Sequence, residues 1–265
     1  MTCKTDDLYH LSFLYKNLDE NDIINEAKQR NYCIQNGLLT ISIYLKSKGL
    51  LIRYFTEKDY DYYTSDDYKK TNSICGVFSD SLIGVLSDIE DEIKDGNNYD
   101  NNYGKIFITE KKLRLTFVIT KRETKNPLTQ PPLSLITCIV NFNDHYLKSE
   151  YPDMMNKLTE NGNIYVELAC TTKINKYSKL IAGAGYLLNG YILLVAIKNF
   201  PDIDKMWGKA VGFTSKDNSN DALRAMHKKR TCSFYNNSEY YICDPSFFLN
   251  ELFRRLYLGE LLIQS

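Results

Sequence analysis

The sequence predicts a mixed α/β (α+β) fold, in which a mostly antiparallel sheet contains one parallel βαβ unit and is flanked by helices. Three observations support this fold class. Apolar runs with a two-residue period, or with no polar residue at all, predict strands between residues 105 and 172. Apolar residues at helical spacing predict helices on both sides of that region. A strand, a helix and a second strand in succession over residues 163–197 predict the βαβ unit.

The composition bounds the class of protein. With 265 residues, 43% hydrophobic and 25% charged, the chain can bury a full core. Its 33 basic and 33 acidic residues cancel, so a general charge footprint for nucleic acid is absent. Seven cysteines are scattered without a CxxC pair, which predicts unpaired thiols in a reducing, cytoplasmic location. Abundant Tyr, Asn, Lys and Ile favour an AT-rich genome such as that of a virus, and then the host cytoplasm.

The sequence predicts an N-terminal accessory region over residues 1–49. "DENDIINEAKQRNY" has the composition of a short helix, and "LLTISIYLKSKGLLIRYF" forms two alternating runs around a turn at Lys46–Gly49. The main domain is predicted over residues 50–245. Within it, "SDSLIGVLSDIEDEI" carries apolar residues at helical spacing and predicts a helix.

Four further segments predict strands, namely "KIFITE", "KLRLTFVITKRE", "LSLITCIVNF" and "NIYVELACTT". The last is nearly apolar, so we expect it to be central in the sheet. Asp244 and Pro245 suit the N-cap and first turn of a C-terminal amphipathic helix over residues 246–265. Its apolar residues lie on more than one face, which allows docking on the protein's own sheet or a homo-oligomer through this helix.

A run of 18 uncharged residues from Leu180 to Ile197 reaches the lower length limit of a membrane span. Asn189–Gly190 interrupts it with one of the strongest local turn signals. We therefore interpret the run as a helix over residues 178–188 and a buried strand from Tyr191, with no membrane association. The predicted βαβ unit depends on that turn.

Short motifs appear in the same order as these elements. Arg53 is followed by Thr56 and Asp59, a variant of the capping box. Asn199 and the pair Gly212–Phe213 bracket "NFPDIDKMWGKAVGF". With the central strand "NIYVELACTT", this order over residues 50–215 resembles the GCN5-related N-acetyltransferase (GNAT) superfamily, and the chain would be a degenerate viral member of it.

The resemblance implies acetyl-CoA as co-substrate. Its pantetheine arm would lie beside Leu168 and Cys170, and its pyrophosphate would bind where the following loop enters a helix. The family pattern there is Gln or Arg, two residues, Gly, one residue, then Gly or Ala. One alignment of the chain with this pattern, the first frame, places Asn175, Ser178 and Leu180 at its three defined positions, so both glycines of the pattern are missing. A second frame recovers Gly183 and Gly185 but leaves a helix of barely two turns, so we adopt the first. The implied cofactor-binding residues are Leu168, Cys170, Lys173, Asn175, Lys176, Ser178, Lys179 and Asn199.

The resemblance also implies a direct transfer of the acetyl group to an amine of a small molecule or peptide. Glu167 matches the position of a general base, and the alternative is a paired or solvent-facing strand glutamate. The family's tyrosine acid falls on Gly208, next to Trp207, so the substitute acid would be Tyr186 or Tyr191. Cys170 could be a nucleophile or a buried structural thiol. The expected function is acyl-CoA-dependent N-acetyl transfer, and the alternative is a catalytically degenerate binding or structural protein.

Overall fold

A computed structural model describes residues 20–65, 79–95, 102–122, 132–143, 145–158, 162–171, 183–209, 225, 227–228, 232–235 and 239–259. The helices are α1 (Glu20–Ser47), α2 (Glu57–Thr64), α3 (Ser79–Lys94), α4 (His145–Glu150), α5 (Pro152–Lys157), α6 (Ala184–Asn199) and α7 (Pro245–Tyr257). The strands are β1 (Leu50–Tyr54), β2 (Lys105–Thr109), β3 (Lys112–Lys121), β4 (Ser134–Val140), β5 (Asn163–Thr171), β6 (Lys205–Lys209), β7 (Cys232–Phe234) and β8 (Tyr240–Cys243).

The strands form one mixed sheet. Hydrogen-bonded neighbours follow the order β1-β3-β4-β5-β6-β8-β7, and β2 pairs with β3. The pairs β1·β3, β2·β3, β3·β4, β6·β8 and β7·β8 are antiparallel. The pair β5·β6 is parallel: Lys205 N–H at the start of β6 donates to the carbonyl of Gly162, which precedes β5. The predicted fold class is confirmed to this extent, a mostly antiparallel sheet with one parallel pair and flanking helices.

The described residues divide into two compact units. One takes its residues from 1–41, 141–165 and 193–260, and the other takes them mainly from 42–140 and 166–192. In the second unit, the apolar face of α3 packs with residues of α2, β2, β3, β4 and β5. The first unit has its own cluster, centred on the buried Trp207 and the methionines of α5.

Helix α1 corrects the prediction for the N-terminal region. The alternating run "LLTISIYL" predicted a strand, but α1 continues through it to Ser47. The buried residues Ile34, Ile41 and Leu45 recur at helical spacing and outweigh the β-branched composition. In the first unit, Gly37 lets α1 approach closely, because a Cβ there would lie 3.0 Å from side-chain carbons of Leu194 and Phe253.

Helix α6 corrects the prediction of a turn at Asn189–Gly190. The helix runs unbroken through both residues, and the next strand is β6, which begins at Lys205 and not at Tyr191 as predicted. The βαβ unit therefore persists with a longer helix and a different second strand. Asn189 is buried, and its side-chain amide donates to the carbonyl of Gly185 one turn earlier, at 2.6 Å. An apolar helix buried along its length supplies the packing that overrides a local turn preference.

The four strand predictions and one helix prediction agree with the structure, whereas the C-terminal helix predicted over residues 246–265 ends at Tyr257. Strands β2, β3, β4 and β5 lie within the four predicted segments, and α3 covers the predicted helix. The Asp244 carboxylate caps α7 by accepting the N–H groups of Ser246 and Phe247. Among the described residues, no helix is both long and apolar enough to cross a membrane.

The cysteines depart from the expectation of unpaired thiols. Cys232 and Cys243 form a disulfide, and Cys33 and Cys170 are disulfide-bonded as well. Of the five cysteines in the described ranges, Cys138 is the free one. Scattered spacing does not preclude disulfides, because strand pairing brings cysteines together that are distant in sequence. The cytoplasmic location thus loses its main argument and stays a prediction.

The predicted capping box at the start of α2 is confirmed, and it anchors a buried ion pair. Asp59 accepts the backbone N–H and the hydroxyl of Thr56, both at 2.8 Å. The same carboxylate binds the Arg53 guanidinium through two contacts, at 2.5 and 2.9 Å. The ion pair therefore joins β1 to the first turn of α2.

Replacement of Asp59 by Asn should lower the free energy of unfolding by about 3–5 kcal/mol, because it leaves the Arg53 guanidinium buried without its counter-ion. Urea denaturation measures this change. Lys94→Ala breaks the exposed Lys94–Glu90 pair and serves as the control, with an expected change within about 0.5 kcal/mol. Equal effects of the two substitutions would contradict the anchoring role of Asp59.

Candidate active site

The predicted general base Glu167 belongs to a cluster of four charged side chains. Glu167 on β5 forms an ion pair with Nη1 of Arg114 on β3. Glu92 on α3 holds the same guanidinium through Nε at 2.6 Å and Nη2 at 2.9 Å. Asp88, one turn earlier on α3, lies 3.7 Å from Nη2. One arginine is therefore shared by three carboxylates, and the cluster carries excess negative charge.

Local structure explains how these groups meet. Residues 82, 85, 86 and 89 form the apolar face of α3, which packs into the core cluster that also contains Leu168. Asp88 and Glu92 are four residues apart, so they project from one side of the helix. Arg114 stands opposite Ile139 in the β3·β4 ladder, and β5 follows β4 in the sheet. The helix and the two strands thereby bring their charged residues to one place.

The cluster raises the pKa of Glu167. Burial of its carboxyl is the largest cause, and the negative charges of Asp88 and Glu92 act in the same direction. Arg114 opposes the increase, but its guanidinium is engaged at the same time by Glu92 in a two-point contact. The Glu167 side chain remains 17% exposed, compared with 3% for Arg114. A carboxylate with a raised pKa and some access to solvent can accept a proton near neutral pH.

The start of α6 is a second feature of interest, in the same unit as Glu167. Gly183 has φ of 87°, a left-handed conformation that favours glycine. Its carbonyl accepts the N–H groups of Tyr186 at 3.0 Å and of Leu187 at 3.1 Å. The N–H groups of Ala184 and Gly185 therefore lie at the helix start, where no intrahelical acceptor is available. The first turn contains no acidic residue, so no carboxylate of α6 itself offsets the positive end of the helix dipole.

This helix start corresponds to the second of the two sequence frames, with Gly183 and Gly185 on the glycine positions of the pattern. The first frame was preferred because the predicted turn at Asn189–Gly190 left the helix too short. With α6 extending to Asn199, that objection disappears. The choice between the two frames therefore no longer depends on the length of this helix, and the residues of the first frame lie outside the described residues.

Of the predicted cofactor-binding residues, Leu168 and Cys170 lie on β5, both buried in the core cluster with α3. The disulfide of Cys170 removes the possibility of a free nucleophilic thiol in this state. Its carbonyl accepts a hydrogen bond from the Ser134 hydroxyl at 2.9 Å. Residues Lys173, Asn175, Lys176, Ser178 and Lys179 lie outside the described residues.

Asn199 was matched to an asparagine that follows a strand, and this match is wrong. It is the last residue of α6, and its side-chain amide donates to the carbonyl of Val195 at 2.7 Å. The error has the same origin as the predicted turn, because the preceding segment is helical. The role of Asn199 in cofactor binding therefore has no support from its position.

The candidate acid Tyr186 lies in the first turns of α6 and is 2% exposed, and its role as proton donor stays a prediction. Trp207 on β6, next to the position of the family's tyrosine, is buried as well. Its ring is tilted against that of Tyr165, with ring centroids 4.4 Å apart, and its indole N–H donates to the Asn163 side chain at 3.1 Å. These contacts give Trp207 a packing role.

Sequence reasoning missed the partners of Glu167. Arg114 lies in the predicted strand "KLRLTFVITKRE", in which apolar and polar residues alternate, yet residues 113–120 are all buried. A charged residue within a strand buried on both faces signals a buried ion pair, but its partner follows only from the fold. Comparison of the chain with models of protein families, with curated proteins and with solved structures finds no match.

Because the pKa of Glu167 is raised on folding, its ionised form is disfavoured in the native state. The stability of the native protein relative to Glu167→Gln should therefore fall as the pH rises from the ordinary glutamate pKa to the raised one, and then stay level. Urea denaturation of both proteins between pH 4 and pH 8 measures this difference. The opposite trend would mean that the Arg114 ion pair dominates and lowers the pKa.

Proposed function

We propose that this protein is an acyl-CoA-dependent N-acetyltransferase related to the GNAT superfamily. The observation that carries the proposal is the glycine-bearing start of α6, which follows the central strand β5 and precedes its parallel neighbour β6. In the resemblance, this is the place where the pyrophosphate of acetyl-CoA binds. The motif residues Arg53, Thr56 and Asp59 at the start of the domain add support, since they form the expected capped helix start.

The pyrophosphate would bind at the N–H groups of Ala184 and Gly185. Anions are stabilised at helix N-termini by donors without intrahelical partners and by the helix dipole. Glycine at 183 and 185 and alanine at 184 keep bulky side chains away from these donors. The lysines at 173, 176 and 179 would add positive charge from the preceding loop.

Glu167 would be the general base. Its carboxylate takes a proton from the acceptor amine, the amine nitrogen bonds to the thioester carbonyl carbon, and the C–S bond breaks. The CoA thiolate then takes up a proton, a step assigned to Tyr186. The excess negative charge around Arg114 favours acceptors that arrive as cations, which includes lysine side chains and small polyamines. Acetyl-CoA is a co-substrate, so no resident cofactor is required.

A second candidate is a relative that binds a ligand or partner without catalysis. Three observations favour it: Glu167 is engaged by Arg114, the family's tyrosine is replaced by Gly208 beside the buried Trp207, and Cys170 is disulfide-bonded. The ion pair engages the proposed base, the glycine lacks the family's acid, and the disulfide removes a free thiol beside the proposed pantetheine site. The two candidates differ in turnover, so direct measurements separate them.

Isothermal titration calorimetry with acetyl-CoA tests the binding site. We expect saturable binding by the wild-type protein and a loss of affinity of about tenfold or more for Gly183→Ala, because alanine costs roughly 1–2 kcal/mol in a left-handed conformation and displaces the helix start. Gly84→Ala is the matched control, since a Cβ there would meet open space. No heat from folded wild-type protein would overturn the proposal.

Glu167→Gln tests the chemistry separately from binding. With lysine peptides and polyamines as acceptors, kcat should fall by about 100-fold or more, while affinity for acetyl-CoA changes little. Release of the CoA thiol measures turnover. Equal loss of kcat and affinity would argue against a base role, and binding without turnover in the wild type would favour the second candidate.

A further inference from the structure

The edge strand β7 is held to the sheet differently from its neighbour β8. Three residue pairs join β7 to β8, namely Cys232–Cys243, Ser233–Ile242 and Phe234–Tyr241. All four residues of β8 also pair with β6. In the strand order, β7 is terminal and β8 is internal. Among the described strands, β8 therefore pairs with a neighbour on both sides, and β7 pairs on one side through a short ladder.

The disulfide lies at one end of this ladder. Tyr235 N–H donates to the Tyr240 carbonyl at 3.0 Å, which marks a hydrogen-bonded pair. Because such pairs alternate along antiparallel strands, Cys232 and Cys243 form a non-hydrogen-bonded pair. Their Cα atoms are 4.2 Å apart, as the close approach of such pairs allows. The disulfide therefore joins the two strands at a residue pair that exchanges no backbone hydrogen bonds, next to the hydrogen-bonded pair of Ser233 and Ile242.

The face that carries the disulfide also carries the aromatic contacts of β7. Phe234 meets Tyr241 edge-on, with ring centroids 6.3 Å apart. His227 stacks on Tyr241 at 4.0 Å and meets Phe234 edge-on at 6.1 Å. These contacts keep Tyr241 buried beneath β7 and His227. Aromatic pairs of this kind contribute modestly, so the bond between Cys232 and Cys243 is the strongest attachment of β7 to β8 that the described residues show.

We propose that the Cys232–Cys243 disulfide is a redox-controlled attachment, and that its reduction releases β7 from β8 while β8 stays paired with β6. This proposal is independent of acetyl transfer. The reductant is a protein dithiol of the thioredoxin-like class. Release would uncover Tyr241 and the free edge of β8, which then offers unpaired backbone groups to another strand.

The exchange can be written atom by atom. Cys232 is 5% exposed and Cys243 is fully buried, so a reductant thiolate attacks Sγ of Cys232. A mixed disulfide forms there, the Cys232–Cys243 bond breaks, and the Cys243 thiolate takes up a proton. The second thiol of the reductant then attacks the reductant sulfur that is bonded to Cys232. This step displaces the Cys232 thiolate, which takes up a proton. The dithiol is oxidised to a disulfide, and the protein gains two electrons and two protons.

Amide hydrogen exchange with mass spectrometry tests the release. Dithiols would also reduce the disulfides of Cys33 and Cys170, so the double variant Cys232→Ala/Cys243→Ala isolates the bond under non-reducing conditions. In the variant, amides of β7 should exchange at least about tenfold faster, whereas those of β3 and β4 keep wild-type rates. Cys232→Val/Cys243→Val, which restores packing without the bond, should also show fast exchange in β7.

Unchanged exchange in β7 would overturn the proposal, because the backbone pairing with β8 would then be enough to keep β7 attached without the disulfide. Acceleration throughout the sheet would overturn it as well, because the bond would then support the whole fold. Trapping provides a separate test of the chemistry. With glutathione as the attacking thiol and acid quenching, the first mixed disulfide should map to Cys232, and mapping to Cys243 would contradict the assigned attack.

Discussion

The long buried helix α6 is the element on which the fold and the candidate site both depend. It is apolar over nearly its whole length, so it must be covered by other parts of the chain. Its start fixes where the N–H groups of its first turn point, and its length sets the distance between β5 and β6 along the sequence. Because Asn189 satisfies its side-chain amide within the helix, a pair of residues that favours a turn is tolerated there. The succession of β5, α6 and β6, and the position of the proposed anion site, follow from this one continuous helix.

The charge cluster around Arg114 is the second constraint. Burying a guanidinium is costly unless its donors are satisfied, and here Glu92 and Glu167 share them. The same arrangement leaves Glu167 with a raised pKa, first because its carboxyl is buried and also because Asp88 and Glu92 carry negative charge nearby. The Glu167 carboxylate is thus one half of a structural ion pair and also the proposed general base. Which of them operates depends on whether an amine can displace part of the contact with Arg114.

The disulfides bear on both candidate functions. Disulfides persist in oxidising compartments, whereas acetyl-CoA-dependent chemistry needs a supply of the thioester. An acetyltransferase with these bonds would work where both conditions hold, or would acquire the bonds under oxidation. A binding protein has no such requirement. The disulfide between Cys232 and Cys243 lies at the edge of the described sheet. It joins β7, which pairs with β8, to β8, which also pairs with β6.

The sequence by itself determined the elements whose signals are local. Strands β2 to β5, helix α3, the capping box at Thr56 and Asp59, and the cap at Asp244 follow from periodicity and from residues three or four positions apart. Tertiary structure decided the rest. The continuity of α1 and α6 comes from burial, which outweighs β-branched runs and an Asn-Gly pair. The partners of Glu167 and the pairing of Cys232 with Cys243 come from contacts between segments distant in sequence. Such contacts leave no periodic signal, because only the packed sheet and helices bring those side chains within reach.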